Sequence, residues 1–127
     1  MNPLKASMMQ AVLGMELQSR RMGVTSENIS NVDTPGYKRK LLMLEPNQGA
    51  SGDFMATRIQ LDQKEGAQEY DPSHPMANAD GYVTLSNVSL VTELADMREA
   101  NRSYEANLNS FQQARSMYRS LLDILRR

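Results

Sequence analysis

The side chains that could do chemistry are few and scattered. His74 is the single histidine, set between Ser73 and Pro75 in a proline-rich stretch. A zinc site or an acid-base pair needs a second ligand or partner at a defined spacing, and the chain has no other histidine and no cysteine to provide it. Asp71 and Asp80 lie nearby, but two carboxylates so placed do not form the spaced oxygen set of a calcium loop. There is no glycine-rich phosphate loop, no nucleophile elbow and no Cys/His pair. The sequence therefore predicts no catalytic residue, no cofactor and no metal, and an enzyme is not expected. Lys38, Arg39 and Lys40 form a short basic run, read as a solvated patch or as a docking point for an acidic neighbour. No Lys/Arg stripe with interleaved aromatics exists, which argues against nucleic acid as a partner. Asn28 and Asn31 remain. They are either polar residues near a helix end or amides that bridge two helices or two subunits.

Two long segments must position these groups. Residues 87–127 contain no proline and no glycine over 41 residues. Every seventh position from Leu90 is apolar or aromatic: Leu90, Met97, Tyr104, Phe111, Tyr118, Leu125. The interleaved set is Leu94, Asn101, Leu108, Arg115 and Leu122. This is a heptad seam, the mark of a helix packed lengthwise on other helices. Such a helix is roughly 60 Å long, against roughly 11–12 residues for an average globular helix. Residues 2–31 repeat the pattern with Met1, Met8, Met15, Met22 and Ile29, interleaved with Leu4, Ala11, Gln18, Thr25 and Val32. Pro3 suits a first helical turn, where its missing N–H costs nothing. Gly14 and Gly23 each cost about 1 kcal/mol relative to alanine, so this helix depends on a partner. The expected helix-pairing seam is Met8, Met15, Met22 and Ile29 against Leu90, Met97, Tyr104, Leu108, Phe111, Tyr118, Leu122 and Leu125.

Pro35 stops the first helix, and Pro35-Gly36 is the pair for the centre of a type II turn between Thr34 and Tyr37. The stretch 41–86 differs in texture. Leu41 to Leu44 is a short apolar run, 47–53 reads as a Gly/Ser-rich loop, and 54–61 alternates as a strand. Lys64-Glu65-Gly66 reads as a turn that returns the chain through 67–70 as the second strand of a hairpin. Tyr82 to Leu85 is a further short strand, and Asn87 a plausible N-cap for the second helix. That helix has Glu93, Asp96, Glu99 and Glu105 early and Arg115, Arg119, Arg126 and Arg127 late, in keeping with its dipole.

The expected fold is mainly α: two long terminal helices paired as an antiparallel coiled coil, with a small β-hairpin-containing insert. Its parts are an N-terminal helix at 1–34, a turn and insert at 35–86, and a C-terminal helix at 87–127 that pairs with 1–34. Net charge is −1. It is positive in 1–40, strongly negative in 41–86 and slightly positive beyond. Opposite signs in one chain favour packing between copies or a folded-back chain. Ten methionines suit irregular or shared packing surfaces. No run of 18 apolar residues exists, so no membrane insertion is expected, and no signal-peptide pattern opens the chain. Off the seam, Met9, Val12, Leu13, Leu17, Val91, Ala95, Ala114 and Leu121 are expected to meet neighbouring copies.

Residues 26–38, Ser-Glu-Asn-Ile-Ser-Asn-Val-Asp-Thr-Pro-Gly-Tyr-Lys, resemble the N-terminal signature of bacterial flagellar rod and hook proteins, whose usual form is ASNIANxxTPGYK. Asn28, Ile29, Asn31, Thr34, Pro35, Gly36, Tyr37 and Lys38 match it, while Glu27 and Ser30 depart. The stretch Tyr70-Asp71-Pro72-Ser73-His74-Pro75, then Ala79-Asp80-Gly81-Tyr82-Val83, is similar to the proximal-rod branch of that family, as are Ser86-Asn87-Val88 and Ser103-Tyr104-Glu105-Ala106-Asn107. The resemblance spans nearly the whole chain. It implies a structural subunit of the flagellar basal-body rod, exported unfolded through the flagellar export apparatus without a cleaved signal. It also implies partners among copies of itself and neighbouring rod subunits, with the paired helices lining a hollow axis. A soluble coiled-coil adaptor or secreted effector would share the seams but would have no reason to carry the turn motif.

Overall fold

The computed structural model describes residues 2–46 and 55–126. The Gly/Ser-rich loop expected at 47–53, Phe54 of the expected strand, Met1 of the seam and Arg127 lie outside the described residues. The order of elements is α1 (Pro3–Ser30), β1 (Lys40–Pro46), β2 (Met55–Leu61), β3 (Gln68–Tyr70), β4 (Tyr82–Thr84) and α2 (Leu90–Leu125). The fold is mainly helical, two helices packed against each other with two small antiparallel sheets between them in sequence. The chain divides into two units, Met1–Met22 with Asp96–Arg127, and Gly23–Ala95.

In the first unit the start of α1 is fixed by Asn2. Its carboxamide oxygen accepts the Leu4 N–H at 2.9 Å, satisfying one orphan donor of the first turn ahead of Pro3. Glu16 and Arg20 add an i,i+4 pair at 2.9 Å on the outer surface. The helices run antiparallel. Lys5 Nζ lies 5.5 Å from the centre of the Tyr118 ring, and Arg21 reaches Glu99 at 3.5 Å. Between them a Cβ on Gly14 would come within 2.6 Å of the Asn107 amide. Among the described residues, the buried apolar side chains of this unit are all alanine: Ala11, Ala100 and Ala114. Small side chains at the line of contact let helix axes approach closely, since interaxial distance follows the residues between them. Methionines and aromatics then flank the contact.

In the second unit α1 ends in a run of tight turns. Asn31 Nδ2 donates to the Glu27 carbonyl at 2.9 Å, beside the Asn31 N–H that bonds to the same oxygen at 3.2 Å. Tyr37 N then donates to the Thr34 carbonyl at 3.2 Å. Gly36 stands in that turn at φ +75°, the left-handed value that position i+2 of a type II turn requires. β1 pairs antiparallel with β2, with Leu42 opposite Ile59 and Lys40 opposite Leu61. β3 pairs antiparallel with β4, with Tyr70 opposite Tyr82, and those two rings meet edge to face at 5.3 Å.

The pairing corrects one expectation. Residues 67–70 do not return along β2; β2 pairs with β1, and β3 with β4. The reason lies in the connection at 62–66. Asn87 Nδ2 donates to the carbonyls of Asp62 (3.0 Å) and Lys64 (2.8 Å), and so carries the chain away from β2. Gly66 then lies against the backbone of Leu85, where an added Cβ would fall 1.9 Å from a carbonyl oxygen, so no larger residue fits there. A second correction concerns the start of α2. The helix opens at Leu90, with Glu93 N bonded to the Ser89 carbonyl at 3.0 Å, so Ser89 takes the cap position and the Asn87 amide is engaged elsewhere.

Ala100 is completely buried at the helix contact. Replacing it by leucine forces the two axes apart and is expected to cost about 1–3 kcal/mol, read as a lower thermal midpoint of the helical circular dichroism signal. An unchanged midpoint would mean that the alanine line is not the packing contact.

Candidate functional site

The second unit is built around two buried polar side chains, Asn28 and Glu93, each about 1% exposed. Asn28 lies in the last turns of α1, and all its hydrogen-bonding capacity is used. Its Oδ1 accepts from the Tyr37 hydroxyl at 2.8 Å and from the Lys40 N–H at 2.9 Å. Its Nδ2 donates to the Lys40 carbonyl at 2.9 Å and to Glu93 Oε2 at 3.4 Å. Two donors and two acceptor lone pairs are what a carboxamide has. Glu93, in the first turn of α2, also accepts from Arg39 Nε through its other oxygen. A buried carboxylate of this kind needs a paired cation and further hydrogen bonds to be tolerated, and it has both. Asn87 completes the cluster: its Oδ1 accepts the Arg39 N–H at 2.6 Å. Among the described residues no buried side-chain nitrogen or oxygen lacks a partner.

The turn residues are tied into the same cluster. Gly36 N donates to the Thr84 carbonyl at 3.0 Å and Asn87 N to the Tyr37 carbonyl at 3.3 Å. Ser86 Oγ donates to the Val32 carbonyl at 2.5 Å. Thr34 Oγ1 donates to Asn31 Oδ1 at 3.1 Å, a local contact on the exposed side. Asn28 therefore bridges the helices, whereas the Asn31 amide bonds back onto its own helix. Ile29 is half-buried beside them. The basic run is not a free solvated patch: Arg39 pairs with Glu93, Lys40 with Glu27 at 2.5 Å, and Lys38 approaches Glu65 at 3.8 Å.

Burial pushes the Tyr37 hydroxyl above its ordinary value of 10.0, and Glu27 adds to the effect. The hydrogen bond from Lys40 to Glu27 raises the lysine above its ordinary 10.5. Both groups hold their protons more tightly in the folded chain than in the unfolded one.

The seam residues divide by exposure. Met8, Met15, Met22, Met97, Tyr104, Leu108, Phe111 and Tyr118 are half-buried in the first unit. Leu90, Leu122 and Leu125 are exposed. The most buried positions of α2 form a different seven-residue row, Glu93, Ala100 and Ala114, with half-buried Asn107 between the two alanines. Ala114, expected to meet a neighbouring copy, is instead buried in the helix contact. Met9, Val12, Val91 and Leu121 are exposed, as is Ala95, while Leu13 and Leu17 are half-buried. Glu93, Arg39 and Asn87 were not singled out as site residues. The available signal was Glu93 itself, an acidic residue seven positions before Ala100 and in line with Ala114.

His74 is a turn residue. Its Nδ1 accepts the Met76 N–H at 3.0 Å, and its own N–H bonds to the Asp71 carbonyl at 3.1 Å. Among the described residues no group of three or more His, Cys, Asp or Glu side chains is placed to hold a metal ion, and no helix is long and apolar enough to cross a membrane.

Comparison with known proteins adds a family context. Residues 9–38 match the family model described as "Flagella basal body rod protein". Residues 79–124 match the model "Flagellar basal body rod FlgEFG protein C-terminal". The first span holds Asn28 and Tyr37, the second Asn87 and Glu93. The chain is 39% identical over 140 residues to the flagellar basal-body rod protein FlgC of Agrobacterium fabrum, covering 99% of this chain and 98% of that protein. It is 33% identical over 148 residues to FlgC of Borreliella burgdorferi, covering 96% and 97%. It is 32% identical over 132 residues to FlgC of Bacillus subtilis, covering 84% and 88%.

Substituting Asn28 by alanine leaves the Tyr37 hydroxyl, both backbone groups of Lys40 and one side of Glu93 without their partner. The expected loss is about 2–4 kcal/mol, measured as a shift of the urea midpoint. A variant as stable as the parent would remove this residue from the centre of the unit. Because Tyr37 and Lys40 keep their protons longer when folded, their contribution is complete below about pH 10 and is lost as pH rises through the folded values. Stability should therefore fall on the alkaline side, and Tyr37→Phe should flatten that fall. An identical alkaline slope in the variant would contradict the assignment.

Proposed function

This chain belongs to the FlgC family of flagellar basal-body rod proteins, and on that premise we propose that it polymerises through its paired terminal helices into the hollow axial drive shaft of the basal body. The observation that carries the proposal is the apolar surface left on those helices. Met9 and Val12 on α1 and Val91, Leu94, Met117, Leu121, Ile124 and Leu125 on α2 are exposed. Large apolar side chains spread along two helices mark surfaces that other protein covers. A helix pair whose contact line is alanine and glycine buries little of its own apolar surface, so further copies provide the rest.

In this reading the half-buried row Met8, Met15, Met22, Met97, Tyr104, Leu108, Phe111 and Tyr118, with Ile29 of the second unit, flanks the helix pair. Leu90, Leu122 and Leu125 meet neighbouring subunits. The parts act as an axial helix at 1–34, a turn and insert at 35–86, and a second axial helix at 87–127. The turn motif Asn28, Ile29, Asn31, Thr34, Pro35, Gly36 and Tyr37 directs the chain from α1 into the insert. The partners are other copies, adjacent rod subunits and, on the way out of the cell, the flagellar export apparatus. Export proceeds without a cleaved signal peptide, and the chain then takes its place in the periplasm-spanning rod. The role is structural and requires no cofactor.

The test is genetic and physical together. In a strain lacking its own copy, Met9→Glu with Val12→Glu should abolish swimming while the purified variant keeps its helical signal, because both positions are exposed in the single chain. Deletion of residues 1–31 should abolish swimming as well. Full motility with the glutamate pair would refute assembly through this helix face.

A further inference from the structure

Among the described side chains the most open methionines are Met9 (48% exposed), Met117 (59%) and Met76 (62%). Met43 on β1 follows at 37%. Met8, Met15, Met22 and Met97 are half-buried in the first unit.

The settings of the three differ. Met9 shares a face of α1 with exposed Val12 and half-buried Leu13, three and four residues on. Met117 shares a face of α2 with exposed Leu121, and Ile124 follows one turn later. Both therefore belong to apolar stripes on the long helices. Met76 stands between Pro75 and Ala77 in the stretch joining β3 to β4, where its N–H donates to His74 Nδ1 at 3.0 Å. It belongs to no helix face.

The chemistry open to an exposed thioether is oxygen transfer. When hydrogen peroxide is the oxidant, its O–O bond breaks, an S–O bond forms, the sulfur gives up two electrons, and the other oxygen leaves as water. The product is a polar, chiral sulfoxide, which disrupts methionine-rich interfaces. On an open face of a single chain water binds the new oxygen, so the fold is not disturbed. Covering the same oxygen with apolar side chains leaves an acceptor unpaired, which is unfavourable.

We propose that Met9 and Met117 are oxidation sites that control assembly: a peroxide converts them to sulfoxides in the free folded chain, and the modified chain does not join the rod. The inference rests on the assembly reading above and adds a means of regulating that same surface. Assembly in turn shields both sulfurs, because neighbouring copies cover them. Met76 is oxidised as readily, without consequence for assembly.

The full-length folded chain is treated with limiting hydrogen peroxide, and its sulfoxides are located by peptide mass spectrometry. Met9, Met76 and Met117 should react first, with the helical circular dichroism signal unchanged, whereas in urea all ten methionines should react alike. In isolated basal bodies the rate at Met9 and Met117 should fall roughly tenfold, since susceptibility follows exposure. Glutamine places an uncharged polar group at similar reach. In a strain lacking its own copy, Met9→Gln with Met117→Gln should stop swimming, whereas Met9→Leu with Met117→Leu should swim, as should Met76→Gln. Four results would overturn the proposal: Met8 or Met15 reacting as fast as Met9 in the folded chain, basal bodies as reactive at 9 and 117 as the free chain, full swimming of the glutamine pair, or loss of swimming with Met76→Gln. If the glutamine pair swims while Met9→Glu with Val12→Glu does not, the oxidation sites fall and the rod reading stands.

Discussion

A single carboxamide holds the second unit in its shape. Asn28 offers four hydrogen-bonding positions within a few ångströms, and they are taken by groups from three parts of the path: a tyrosine after the turn, both backbone groups of Lys40 at the start of β1, and the first turn of α2. Apolar contacts can slide, because methionine and leucine tolerate many arrangements of similar energy. Directional bonds in a buried site do not, since a shift of one residue would leave a charge and several donors unpaired. The arrangement fixes which residue of α1 faces which residue of α2 in this unit. It does so at little net gain in stability, because desolvating Glu93 and Arg39 offsets much of their attraction.

The first unit follows a different logic. Its contact line is alanine and glycine with Asn107 among them, and Lys5–Tyr118 and Arg21–Glu99 mark the register. Close approach of two helices gives good backbone packing but little buried area per residue. Methionine, aromatic and leucine side chains end up beside the contact, half-covered or open. That is poor design for an isolated helix pair and good design for a strand of a larger bundle, where a third and fourth helix cover the flanks. The methionine content fits surfaces that must accept neighbours of more than one shape.

The large features of the fold were legible in the sequence because they are periodic or chemically singular. Absence of proline and glycine from 87 onward marked α2, and Pro35-Gly36 marked the turn with its positive φ. What was not legible depends on contacts far apart in sequence. The partner of β2 could not be read from alternation, because the connection at 62–66 is decided by Asn87 and by Gly66 against Leu85. Asn87 looked like a cap because asparagine commonly is one; its amide was needed elsewhere and Ser89 took the role. The buried row of α2 was missed because alanine and asparagine carry no hydrophobic signal, while the large residues beside them do. Glu93 read as a helix-dipole residue, and nothing local distinguishes a buried acid from an exposed one until its arginine, 54 positions away, is placed.

The antiparallel course of the first unit brings the opening turn of α1 and the closing turns of α2 to one place, where Lys5 meets Tyr118. Asn2 and Arg126 therefore both lie toward that tip of the unit. A fluorescent or affinity label on either extremity would crowd the same few square nanometres, so exchanging one extremity for the other offers no escape from interference there.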